Sequence, residues 1–122
     1  MERKREVMRQ CISLVEIIQE GLAHVQQQIK EGRFESTISL FKDIVYAYER
    51  VETSIIGLED DILSEKAKTL QAQIIKGLDA TVQSYEISAY GKVNEVLQFT
   101  LIPSFRKWHD QLDMDFGKYL VN

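Results

Sequence analysis

The sequence holds 122 residues, 44% hydrophobic and 28% charged, with a net charge of −4 from 15 basic and 19 acidic side chains. That length suits one domain able to bury a core unaided, the composition excludes disorder, and the acidic balance disfavours nucleic-acid phosphates as a ligand. One cysteine excludes an intrachain disulfide, one proline and six glycines leave few helix breakers, and no run approaches the ~20 apolar residues of a membrane span.

The opening Met1-Glu2-Arg3-Lys4-Arg5-Glu6 has no apolar leader, and with the lone Cys11 it predicts a reducing cytoplasm. From there the apolar spacing is helical. Val7, Cys11, Leu14, Ile18, Leu22, Val25 and Ile29 recur three and four apart, with Val15 widening the stripe. They predict a first helix over about residues 3–31, ended by Gly32-Arg33. The second stripe is unbroken: Phe34, Thr37, Phe41, Ile44, Tyr48, Val51, Ile55 and Leu58. It predicts a helix over about 34–57 whose seam packs against near-parallel neighbours. Asp60 and Asp61 are expected to cap the third helix.

Leu63, Ala67, Leu70, Ile74, Leu78, Val82 and Tyr85 form the third stripe, over about 61–88. Gly77 beside it marks either a tolerated cost or the close approach of a neighbouring helix. The fourth stripe, Val93, Leu97, Leu101, Phe105, Trp108 and Leu112, spans about 92–113 and contains Pro103. A kink is expected near Phe99–Pro103. The remaining tail, 114–122, is too apolar to hang free and is expected to dock against the bundle or a partner. Ile17-Ile18-Gln19-Glu20-Gly21-Leu22 echoes Ile74-Ile75-Lys76-Gly77-Leu78, and Gly32-Arg33-Phe34 echoes Gly91-Lys92-Val93. The echo predicts two related helical hairpins turning at Gly32 and Gly91. Short connections then make the fold an all-α, antiparallel, up-down-up-down four-helix bundle.

Chemistry is hard to find along this chain. A di-iron carboxylate site wants Glu-x-x-His on two helices, and none occurs. Glu20 with His24, and His109 with Asp113, stand four apart and read as surface pairs. Glu49 and Glu52 form a single Glu-x-x-Glu pair, too little for a magnesium-binding array. Asp110, Asp113 and Asp115 lack the glycine and closing glutamate of a calcium loop and read as a charged helix end. Cys11 lies on a core stripe as an inert small hydrophobe. Arg106-Lys107-Trp108-His109 is a tryptophan on its stripe with ordinary basic flanks. No catalytic, cofactor-binding or metal-ligating set emerges. The aromatic residues left over by the core, Tyr46, Tyr90 and Phe99, together with Met114, Phe116, Tyr119 and Leu120 of the tail, are the candidate interaction surface.

The stretches Gly32-Arg33-Phe34-Glu35 through Ile44, and Val96-Leu97-Gln98-Phe99 through Trp108, resemble parts of small uncharacterised helical-bundle proteins from Firmicutes genomes. The first is also similar to half of a tetratricopeptide unit, but no 34-residue repeat accompanies it. The late tryptophan resembles that of flagellar export chaperones, likewise small helical bundles. None of these likenesses carries a functional residue across. The reading is therefore a non-enzymatic protein-interaction module (adaptor, small regulator or chaperone-like bundle) that binds a protein partner or itself, as in a homodimer. The alternatives are a metal-assisted enzyme with a site between the helices, or a weak nucleic-acid binder through the basic N-terminus.

Overall fold

Two helix ends with the same hydrogen-bond signature divide the chain into hairpins. At the first, Gly32 is left-handed, with φ 79°. Its N–H donates to the Ile29 carbonyl (3.0 Å), and the Arg33 N–H reaches back to Gln28 (2.9 Å). This Schellman pair satisfies the last carbonyls of a helix. At the second, Ser88 is left-handed, with φ 56°. Its N–H donates to Tyr85 (3.0 Å), and that of Ala89 donates to Ser84 (2.8 Å). The second turn thus sits at Ser88, not at the predicted Gly91, which lies inside the next helix. A Cβ is strained in this conformation. Ser88→Gly is expected to raise stability by about 0.5–1 kcal/mol, visible as a higher urea midpoint at unchanged slope.

The computed structural model describes residues 2–58 and 61–121. Helices α1 (Glu2–Lys30) and α2 (Ser36–Ile56) form the first hairpin, and α3 (Glu65–Glu86) begins the second. Its return limb is one rod in three parts: α4 (Tyr90–Val96), a π-helical turn (Leu97–Leu101) and α5 (Ile102–Leu120). Short connections fold α2 back on α1 and the fourth limb back on α3, and α5 packs on both α1 and α3. The result is an all-α four-helix bundle, with no strand among the described residues.

The second stripe is buried as predicted from Thr37 to Leu58, with Phe34 packed at its edge. On α1 the face is turned slightly, so Met8 and Val15 are fully buried while Val7 and Leu14 are only partly so. The larger shift is on α3. Beyond Ile74 its inner face runs through Gly77, Leu78, Thr81 and Ser84, leaving Val82 exposed and Tyr85 half-buried. Close approach explains this. A Cβ on Gly77 would lie 2.7 Å from Leu101 Cδ2 and 3.1 Å from its Cγ, so the limbs touch where only small residues fit. The Thr81 and Ser84 hydroxyls donate to the carbonyls of Gly77 and Ala80 in their own helix, each at 2.8 Å, which satisfies them in place.

The π turn has its own sequence cause. Val93, Leu97, Leu101 and Phe105 step by four, and in an α-helix each such step drifts about 40° around the axis. One wide turn absorbs the drift, and all four are fully buried. Ile102 N–H bonds back to the Leu97 carbonyl, five residues away, and Pro103, which has no N–H to donate, comes next. The disturbance predicted at Phe99–Pro103 takes this form.

The start of α3 is capped by Ser64, whose Oγ accepts the Ala67 N–H at 3.1 Å. Of the two predicted caps, Asp61 is exposed in the connection and Asp60 lies outside the described residues. Asp115 supports the cap from α5. It accepts the Ser64 N–H and hydroxyl, both at 2.9 Å, and the Gln111 amide at 2.9 Å. Rather than a solvated helix end, Asp115 is the tie between two limbs. Asp115→Ala strips three bonds and orphans a part-buried N–H, so a loss of about 2 kcal/mol is expected in urea denaturation.

Candidate interaction surface

The predicted surface residues divide by helix periodicity. The fourth limb does not stop at 113 but runs on to Leu120. Along it Phe116 lies four residues beyond Leu112 and is fully buried, a correction to its placement on a surface. Met114 points the other way and is 71% exposed. Tyr119 and Leu120 pack partly against the core, and the Tyr119 carbonyl accepts a 2.8 Å bond from Arg5 Nε. The described part of the tail is thus seated on its own bundle, with a cation at the helix C-terminus where the backbone dipole favours one.

Tyr90 stacks on Phe34 at 4.7 Å with 13° between the ring planes. Both line a shallow groove with Gly32, Arg33, Glu35 and Ser36. The same sequence offset separates Gly32 from Ser88 and Phe34 from Tyr90, so the two hairpin turns meet through equivalent rings. Tyr46 lies in a separate groove with Glu49, Arg50, Thr53 and Ser54, exposed on the outer face of α2. Phe99 stands exposed on the π turn. Tyr46 and Tyr90 thus line different grooves.

A different seam is open. Helix α2 lies along α1, while its approach to α3 is made by side chains rather than by close backbones. Large rings hold the limbs apart: Tyr48 of α2 meets Trp108 at 5.5 Å and Phe105 at 6.0 Å, and Phe41 meets Tyr85 at 5.6 Å. The groove between α2 and α3, about 200 Å³, is lined by Val45, Tyr48, Glu49, Glu52, Ile75, Leu78 and Asp79. Ile75 is 41% exposed, and Val82, two turns further along α3, is 38% exposed. Tyr48 donates from its hydroxyl to Glu52 at 3.1 Å. Burial first, then the neighbouring carboxylate, drive its pKa far above the ordinary phenol value.

Apolar spacing did not reveal this site, because it assigned Val82 to the core and gave Ile75 no role. The available signal was that α3 carries more apolar residues (Ile74, Ile75, Leu78, Val82) than one inward stripe can take.

Several other titratable groups make contacts within the scaffold. Burial pushes the Cys11 thiol up to about 11, so thiolate is scarce near neutrality. Among the described residues no three His, Cys, Asp or Glu side chains form a metal-ligating group. His24 bonds Gln28 at 2.9 Å, and Arg5 and Arg9 pair with Glu2. His109 joins α5 to α1 through Glu16 at 2.9 Å, with Asp110 at 3.3 Å and Asp113 at 3.9 Å. Burial lowers the His109 pKa, but the hydrogen bonds to Glu16 and Asp110 and the charges of Asp113 and Glu16 outweigh it and raise it above 6.5. A raised histidine favours the folded state below its unfolded pKa and loses that contribution as pH climbs through the folded value. Between pH 6 and 8.5 the wild type is expected to lose up to about 1 kcal/mol relative to His109→Gln in urea titrations.

No helix among the described residues is long and apolar enough to cross a membrane. No curated protein and no solved structure matches the chain. A family model does, over residues 6–111, taking in all but the first turn of α1 and the last turns of α5. The chain therefore belongs to the family described as Domain of unknown function (DUF8042).

Proposed function

We propose that the chain is a non-enzymatic protein-interaction module whose docking face is the groove between α2 and α3. The observation that carries this reading is an apolar seam which the bundle itself leaves unfilled: Val45, Ile75 and Leu78 line it beside half-exposed Val82. Here an exposed apolar side chain, Ile75, stands over a groove floor that includes Val45 and Leu78, and apolar surface gathered in a groove marks a binding surface. Its shape suits a visiting helix, since it runs between two helices whose backbone bonds are already used internally. A bacterial cytoplasm is the proposed setting, supported by the likeness to small Firmicutes bundles and by a lone cysteine kept protonated in the core.

A photo-cross-linking residue at position 75 tests this in cells. Discrete protein adducts are expected there and not with the same residue at Met114, which is exposed on α5. Identical adduct patterns at the two positions would refute the docking face.

A further inference from the structure

We infer that the occupant of the α2/α3 groove is an amphipathic helix of a partner protein with lysine or arginine along its flanks, an inference that rests on the groove being the docking face. Charge carries it. Glu49 and Glu52 from α2 and Asp79 from α3 line the groove, and no cationic side chain does. Among the described residues none of the three enters an ion pair, and only Glu52 has an internal partner, the Tyr48 hydroxyl. Carboxylates of one sign around an apolar floor focus a negative potential into it. A ligand that buries the floor must also answer that charge.

The geometry selects a helix. Ile75 and Val82 are seven residues apart on α3, about 10.5 Å along its axis. Val82 lies beyond the groove's lining, and exposed apolar groups at that spacing can be met by a visiting helix through its own i, i+3, i+4 and i+7 anchors. Other occupants are disfavoured by the same residues. A second copy docking by two-fold symmetry would set Glu49, Glu52 and Asp79 against their own equivalents, like charge on like charge. The chain's own basic stretch, Arg3 to Arg9, is built into α1 with Met8 fully buried, and cannot reach the groove without unfolding it. Anionic lipid surfaces are repelled.

The test is selection from a display library of helical peptides with Leu and Ile anchors at i, i+3, i+4 and i+7. Their flanking positions are randomised among Lys, Gln and Glu. The full chain is the bait at ~0.15 M salt, where exposed charges are screened beyond about 8 Å. Lys-flanked peptides are expected to dominate. Their affinity should fall tenfold or more for Glu49→Lys/Asp79→Lys and for Ile75→Ser, with both variants checked as folded by circular dichroism. Recovery of neutral or Glu-flanked binders that still need Ile75 would overturn the basic partner while leaving the docking face intact. Lys-flanked binders indifferent to Ile75→Ser would sink the docking face with it. Enrichment of nothing overturns the inference, as does reversible dimerisation of the chain that Glu49→Lys/Asp79→Lys alters.

Discussion

Trp108→Ala is expected to remove about 3–5 kcal/mol, the largest loss of any single substitution in this chain. Trp108 is fully buried, projects from α5, and touches Tyr48 of α2 and Phe105 of its own limb. It therefore joins limbs whose backbones stand apart. Against a typical total of about 5–15 kcal/mol, such a loss brings the domain near its unfolding midpoint. An unpaired donor moderates it. The indole Nε1 is buried without a hydrogen-bond partner among the described residues, and an orphaned donor of this kind costs about 1–3 kcal/mol. Trp108→Phe keeps most of the apolar volume and discards the orphan, so it should cost less than about 1.5 kcal/mol. Urea denaturation monitored by far-UV circular dichroism checks both, since the only tryptophan is the residue removed. Equal losses for Ala and Phe would mean that the indole nitrogen is better satisfied than its surroundings show.

The residues that made the bundle readable were those whose burial is dictated by spacing alone. Phe41 through Ile55 on α2 alternate three and four apart, and each is buried where α2 packs along α1. The fourth stripe was equally plain, although its run of fours needed a π turn that periodicity does not specify. What spacing could not show was the cost of two limbs meeting. Gly77, Thr81 and Ser84 are buried because Leu101 presses against α3 there, and a small polar residue on an inner face looks like a break in a stripe. Ser88 hid for a similar reason. Glycine is the expected left-handed residue, so Gly91 drew the prediction although the hydrogen bonds close three residues earlier.

The candidate site was less legible than the fold. Tyr46, Phe99 and Met114 are exposed, on α2, the π turn and α5 respectively, and none of them lines the α2/α3 groove. The groove that does open lies between α2 and α3 beside Tyr48, whose ring meets Phe105 and Trp108 of α5. Each of those rings reads as ordinary core in sequence. The turned face of α3, where Gly77 meets Leu101, leaves Ile75 and Val82 outward, with Ile75 beside Glu49, Glu52 and Asp79. The packing of the interior thereby shapes the surface.

Phe116 and Met114 make a matched pair for the remaining prediction. Both belong to the apolar stretch beyond the predicted end of the last helix, and both read alike as tail residues. In the folded chain one is fully buried and the other 71% exposed. Phe116→Ala opens a cavity where α5 closes the bundle near Asp115 and Ser64, and a loss of about 3–4 kcal/mol is expected. Met114→Ala should change stability by no more than about 0.5 kcal/mol. Deletion of 114–122 would remove Phe116 along with the Arg5 bond to the Tyr119 carbonyl, and with them Asp115 and its support of the α3 cap. Helicity should fall with the truncation rather than survive it. A truncated chain that keeps full far-UV ellipticity and the wild-type urea midpoint would show that the last two turns of α5 add nothing to the core, and that Phe116 is available to a partner after all.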